Sequence, residues 1–212
     1  MRNIGLKGRI FLIILAAGIS ERFSAGNKLL YEVDGESLIH RIVRTALESE
    51  VDEVLLVTGH QSTRIEDAIN DLREKRLKVI FNPNYREGMS SSLKLGVEHV
   101  KGLGEAAIIH PADVAFISKN VINKLIDTYK RNRPKIAVVS YAKRAGHPIL
   151  FDRAMSDEVL GISEEEMGLK SVVRRYKNEI LYIPVDEEEV LIDVDTIDDV
   201  KRYMGSKGND EV

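Results

Sequence analysis

Two cations bracket a run of small residues near the start of the chain. Residues 15–29 read Leu-Ala-Ala-Gly-Ile-Ser-Glu-Arg-Phe-Ser-Ala-Gly-Asn-Lys-Leu. From Leu15 the chain opens into Ala16, Ala17 and Gly18, whose backbone N–H groups a ligand can approach closely. Arg22 and Lys28 then suit phosphate oxygens, the guanidinium as a planar fork and the ammonium as a point charge. The plainer alternative is a solvated loop with two surface cations. Gly26-Asn27-Lys28-Leu29 lacks the Gly-Lys-Ser/Thr ending and the upstream glycine spacing of a P-loop, and the segment is not a Gly-x-Gly-x-x-Gly dinucleotide turn.

Other residues of chemical interest are scattered. Gly88 precedes Met89 and the serines 90–92, so Ser91 and Ser92 fall in the first turn of an expected helix. Free N–H groups and hydroxyls there suit an anion or a base edge, although a serine-rich cap alone would look the same. Asp113 follows an apolar run, as a ligand or as a helix cap. Ser118 is the competing cap and leaves Asp113 freer. Asp193 and Asp195 are two residues apart, and in a strand that spacing points both carboxylates one way. Asp195 or Thr196 could equally cap the next helix. His147, within Gly-His-Pro, is either a phosphate contact or a turn residue.

The elements that must position these residues follow from hydrophobic periodicity. Continuous apolar runs at 9–15, 53–58, 77–81, 106–110 and 136–141 predict strands covered on both faces. Helical spacing predicts helices at 37–48, 62–72 with Ser62 as N-cap, 89–100 and around 121–129. Alternation of this kind predicts a parallel sheet with helices on both faces, whose ligands sit beyond the carboxyl ends of the strands. The loops after Leu15, Phe81 and His110 should therefore share one crevice. Beyond Tyr141 the pattern predicts a short or edge strand at 146–151, a helix near 168–176, strands at 180–184 and 190–193, and a helix at 196–204. The expected organisation is one domain over 1–204 with a polar tail at 205–212.

The chain has 212 residues, no cysteine and a net charge of -3, with charged residues of both signs at 31%. The missing cysteines exclude disulfides, zinc–thiolate sites and thiol nucleophiles. The mixed charge argues against a nucleic-acid or membrane surface. Arg2, Lys7 and Arg9 precede the apolar run 10–17, but that run leads directly into charged sequence, so it reads as a buried strand of a cytoplasmic protein.

Taken together, Leu15-Ala-Ala-Gly-x-Ser-x-Arg22 with Asn27-Lys28-Leu29-Leu30 resembles the opening motif of the MobA-like NTP transferases, nearest the molybdenum cofactor cytidylyltransferase branch. Phe23 stands where that motif usually has Met, and one extra residue separates Arg22 from Lys28. The likeness continues through Asn82-Pro83, Gly88 to Leu93, Asp113, Gly146 to Phe151, Gly168 to Lys170 and the acidic run 193–199. Ala112 and Ala115 replace the usual Gly and Pro around Asp113. The resemblance implies a Rossmann-like three-layer α/β/α fold with a mostly parallel sheet. It implies Mg²⁺ held by Asp113 with Asp195 or Asp193, and nucleotide contacts from Leu15 to Gly18, Arg22, Lys28, Asn82, Gly88, Ser91 and Ser92. Acceptor contacts would come from His147 and Lys170, and catalysis from Arg22, Lys28 and Asp113.

The implied activity is transfer of CMP from CTP to the phosphate of molybdopterin, with a molybdenum enzyme as possible partner. Ala17, where the guanylyl branch usually has Gly, and the serine segment carry the base preference. Guanylyl transfer, sugar-phosphate activation and a non-catalytic nucleotide-binding role are the alternatives.

Overall fold

The computed structural model describes residues 8–165 and 168–207. Strand β1, Ile10–Ala16, is buried along its whole length, as its apolar run requires. A short hairpin follows, β2 (Glu32–Val33) with β3 (Glu36–Ser37). Helix α1, Leu38–Leu47, starts where the Ser37 hydroxyl accepts from His40 N–H, and its apolar stripe is buried. Strand β4 is Glu53–Thr58. Helix α2, Ser62–Asp67, is shorter than expected, and its N-cap is Gln61 in the left-handed conformation rather than Ser62. A separate 3₁₀ turn, Asn70–Leu72, covers the rest of the predicted span, which breaks at Ile69, outside the helical region of backbone space.

Strand β5 (Leu77–Phe81), helix α3 (Met89–Val100), strand β6 (Ala106–Pro111) and helix α4 (Lys119–Asn132) complete the first half. Ser118 caps α4, accepting from Asn120 N–H. Strands β7 (Ile136–Tyr141) and β8 (Arg144–Asp152) form a hairpin. Two short helices, α5 (Ser156–Leu160) and α6 (Leu169–Arg175), lead to β9 (Ile180–Pro184) and finally α7 (Ile197–Lys207). Helix α7 thus runs into the expected polar tail. Residues 208–212, like Arg2 and Lys7, lie outside the described residues.

The seven-stranded sheet has the order β5-β4-β1-β6-β8-β7-β9. Its only antiparallel strand among the described residues is β8, which lies between β6 and β7. The segment expected at an edge is therefore central. A hairpin back from β7 reaches the open side of β6 and fills it, so one strand runs against the rest.

Side chains alternate across the sheet, as strand geometry demands. Leu12, Ile14 and Leu56 face α1 and α4 on one side, while Phe11, Ile13 and Leu55 face α3, α5 and α6 on the other. The result is the three-layer α/β fold with a mostly parallel sheet. Each fully buried aliphatic side chain contributes about 1.5–3 kcal/mol of hydrophobic stabilisation.

The predicted strand at 190–193 does not form. Residues Glu188–Leu191 make a 3₁₀ turn. Val190 is fully buried in the α1/α4 core, and its backbone lies on Gly146 of β8, where a methyl group would collide with it. Burial of the Val190 side chain against the core wins here over strand pairing.

Candidate active site

The first loop is held in shape by its own polar groups. Ser20, in the left-handed region at φ 57°, accepts from Lys28 N–H at 3.2 Å, and Asn27 Oδ1 accepts from Leu29 N–H at 3.1 Å. These bonds tie the two ends of the loop together around residues 21–26. Phe23 turns inward and meets Tyr31 edge-to-face at 5.3 Å. The stretch Ser24–Gly26 is exposed, with Gly26 at φ 96°. Lys28 therefore emerges from a fixed backbone.

That fixed backbone delivers the Lys28 ammonium between two carboxylates. Nζ lies 2.7 Å from Asp113 Oδ2 and 3.0 Å from Asp195 Oδ1. Arg22 takes the other oxygen, its Nη2 lying 2.9 Å from Asp195 Oδ2. Burial opposes the charged form of Lys28, but the Asp113 and Asp195 carboxylates outweigh it and raise the pKa above the ordinary lysine value. Asp193 is exposed as a residue. Its carboxyl is nonetheless held above the ordinary range, first by loss of hydration and then by the charges of Asp113 and Asp195.

Backbone contacts bring these acids together, not strand alternation. Val194 is fully buried, and its N–H donates to Asp113 O at 3.0 Å. Asp193 and Asp195 flank that peg on either side. Asp195 does not cap α7. Thr196 does so with Asp199, whose Oδ2 accepts from Thr196 N–H at 2.8 Å and from Asp195 N–H at 3.1 Å. The Asp195 carboxylate is thus left for the cleft.

Beneath the cluster lies a third small core of Phe23, Val33, Leu38, Ala115, Phe116, Val194, Val200 and Tyr203. Phe116 stacks on Tyr203 with centroids 3.9 Å apart. This core joins the first loop, the loop after β6 and the start of α7, so it sets the positions of Lys28, Asp113 and Asp195 at once. Ala112 and Ala115 are buried, which accounts for small apolar residues beside Asp113.

The opposite wall is the start of α3. Asn82 is buried and fully engaged: Nδ2 donates to Ser91 and Ser92 Oγ, each at 2.9 Å, and Oδ1 accepts from Asn84 N–H at 2.9 Å. Its side chain positions the helix start. Ser91 Oγ donates to backbone carbonyls of Asn84 and Gly88. Gly88 has φ 101°, a conformation that glycine supplies without strain. Glu164, from the segment before α6, accepts from Ser90 N–H at the same helix end.

Beside this wall, Tyr85 packs against Gly59 and Ala17 and holds the β5–α3 connection to the first loop. Tyr85, Arg86, Met89, Ile19 and Pro111 line the cleft without having been singled out in the sequence. Only the spacing between Asn82-Pro83 and Gly88 gave a signal for the first two.

His147 lies within the field of both Asp113 and Lys170. Burial lowers the His147 pKa; the Asp113 charge opposes this and the Lys170 charge adds to it. His110 is wholly buried and donates from Nε2 to Val114 O at 2.8 Å. Desolvation, with the neighbouring His147, pushes its pKa down to about 3. Both imidazoles are held neutral near pH 7.

Leu15, Ala17, Gly18, Arg22, Lys28, Gly88, Ser92, Asp113 and Asp195 line one cleft of about 450 Å³. The loops after β1, β5 and β6 share it, at the carboxyl ends of the strands. Ala16, Asn82, Ser91, His147, Lys170 and Asp193 are not among its lining residues, and Ala16 and Asn82 are buried.

Residues 12–180 match the model of the MobA-like NTP transferase domain. The chain belongs to the MobA-like NTP transferase family. It is therefore a nucleotidyltransferase by family. The molybdenum cofactor guanylyltransferase of Acinetobacter baumannii is 24% identical over 95% of the chain and 94% of that protein. The bifunctional protein GlmU of Staphylococcus carnosus is 22% identical over 70% of the chain, and the match spans only 31% of that longer protein. Rv0371c of Mycobacterium tuberculosis has the same fold, with a TM-score of 0.80 at 23% identity over 93% of this chain and 98% of that one. Its manganese complex superposes with a TM-score of 0.75, at 21% identity over 93% of this chain and 99% of that one. No helix among the described residues is long and apolar enough to cross a membrane.

Proposed function

We propose that this protein transfers CMP from CTP to the phosphate of molybdopterin, releasing pyrophosphate in the cytoplasm, to furnish a cofactor for a molybdenum enzyme. The observation that carries the reading is the convergence of Lys28, Arg22, Asp113 and Asp195 at one end of a cleft whose other wall is the serine-bearing start of α3. Such a site has phosphate-binding cations and hard oxygen donors. That suits direct attack by an acceptor that is already an anion.

In this reading an acceptor phosphate oxygen attacks the α-phosphorus of CTP in line. One P–O bond forms, the bond from the α-phosphorus to the bridging oxygen breaks, and pyrophosphate leaves with the electron pair. Arg22 and Lys28 hold the β- and γ-phosphates and offset the charge that grows on the leaving group. His147 and Lys170 serve the acceptor side. The catalytic contribution is positioning and electrostatics.

The donor set fits a divalent metal. Asp113 and Asp195 already converge on one cation, the Lys28 ammonium, and both offer the oxygen ligands that Mg²⁺ prefers. The ion would take its remaining ligands from phosphate and water. When bound, Mg²⁺ supplies charge neutralisation at the α-phosphate.

Guanylyl transfer is the second reading, favoured by the relative that matches nearly the whole chain. The test is pyrophosphate release with Mg²⁺, a molybdopterin acceptor and each of the four NTPs in turn. Release with CTP alone is expected. Release with GTP alone would reassign the base, and silence with every NTP that binds would overturn the acceptor.

A further inference from the structure

The Lys28 ammonium and a metal shared by Asp113 and Asp195 need the same space. Lys28 Nζ sits 2.7 Å and 3.0 Å from one oxygen of each carboxylate. A divalent ion taking those same oxygens would need contacts of about 2.0–2.1 Å and could not share the position with the ammonium. The other Asp195 oxygen is paired with Arg22 Nη2 at 2.9 Å. Both cations come from the first loop, whose backbone is pinned by Ser20 and Asn27, so the ammonium is returned to this position whenever its side chain is free. Its side chain is also the more buried partner, at 14% exposure against 21% and 28% for Asp113 and Asp195.

We propose that Lys28 is a resident counter-cation that keeps the divalent metal off Asp113 and Asp195 until a triphosphate draws the ammonium away. Metal then enters with the nucleotide and not before it. The device has a second effect. Without Lys28, Asp113 and Asp195 would face each other as bare anions, with Asp193 beside them. The ammonium keeps that cluster together in the absence of substrate, and on nucleotide binding it moves only the length of its own side chain to reach phosphate oxygens. The inference rests on the nucleotidyl-transfer reading and gives that site an order of loading.

The test is a Mn²⁺ titration of the nucleotide-free protein, followed by the electron paramagnetic resonance of free Mn²⁺. It is run on the wild type, Lys28→Met, Lys28→Arg and the double variant Lys28→Met/Asp113→Asn. Lys28→Gln stands in if the Met variant does not show wild-type circular dichroism. Wild type and Lys28→Arg are expected to bind Mn²⁺ weakly, and Lys28→Met about tenfold or more tightly, a normal size for two ligands in competition. The double variant should lose that gain.

Equal, tight binding by wild type and Lys28→Met, abolished in each by Asp113→Asn, would overturn the exclusion while keeping the metal site. No Mn²⁺ bound by Lys28→Met, or binding indifferent to Asp113→Asn, would overturn both the exclusion and the assignment of these carboxylates to the metal.

Discussion

A single methyl group at Gly59 should damage catalysis without touching any charged residue of the site. Gly59 follows β4 and separates the first loop from the Tyr85 wall. A Cβ there would lie 2.5 Å from Tyr85 Cβ, 2.8 Å from Tyr85 Cγ and 2.8 Å from Ala17 Cβ. Both neighbours present β-carbons, which are fixed by their own backbones and cannot rotate aside. Bringing the first distance to ordinary contact at 3.4 Å requires 0.9 Å of backbone movement. Overpacking of this kind costs about 1–3 kcal/mol. In a chain of this size each kcal/mol lowers Tm by about 2–4 °C.

The movement opens the gap between Ala17 and the start of α3, where the nucleotide is proposed to sit. A misplacement near 1 Å is worth about 100-fold in rate, or about 2.7 kcal/mol. Gly59→Ala should therefore lower kcat/KM for pyrophosphate release by about two orders of magnitude while the protein remains folded. Steady-state kinetics beside a thermal melt measures both. Wild-type kcat/KM together with a wild-type Tm would refute the claim that this contact sets the width of the cleft.

Asn82→Ala should destabilise the fold by about 1–3 kcal/mol, because it leaves the Asn84 N–H without its acceptor and loosens the start of α3; urea denaturation with KM for the nucleotide checks both effects. His110 titrates at about 3 in the fold, below the ordinary histidine value of 6.5. The unfolded chain therefore takes up its proton first as pH falls, and the His110 contribution is complete above about pH 6.5 and lost toward pH 3 at up to about 1.4 kcal/mol per unit. Urea midpoints between pH 4 and 7 should show that slope, and His110→Leu should flatten it. Asp113→Ala should abolish Mg²⁺-dependent turnover with an unchanged circular dichroism spectrum, and retained turnover would remove Asp113 from the metal site.

Much of the fold was legible because the parallel strands are buried on both faces. β4, β5 and β7 begin and end where their apolar runs do. Helix α3 likewise starts at Met89, after the glycine that turns the chain. The position of β8 was not legible, since an apolar run does not say which neighbour it pairs with. The turn at Glu188–Leu191 was misread as a strand because the short apolar run Val190-Leu191-Ile192 looks the same in either state. Within the site, Arg22, Lys28, Asp113 and Asp195 were each legible from residue type and local setting. Their mutual ion pairs were not, because Lys28 is separated from Asp113 by 85 residues and from Asp195 by 167. The β1–β6 pairing, the Val194 N–H bond to Asp113 O and the small core around Phe116 and Tyr203 bring the three segments together. Asn82 was singled out for the nucleotide; its hydrogen bonds to Ser91, Ser92 and Asn84 at the helix start were not legible from the sequence.

The central claim is that the bond broken is the one between the α- and β-phosphates. The protein should be incubated with Mg²⁺, molybdopterin and CTP carrying radiolabel at either the α- or the γ-phosphorus, and the label in the recovered acceptor counted. The account predicts α-label in the acceptor and γ-label in pyrophosphate. γ-Label appearing in the acceptor would mean phosphoryl rather than nucleotidyl transfer and would contradict it.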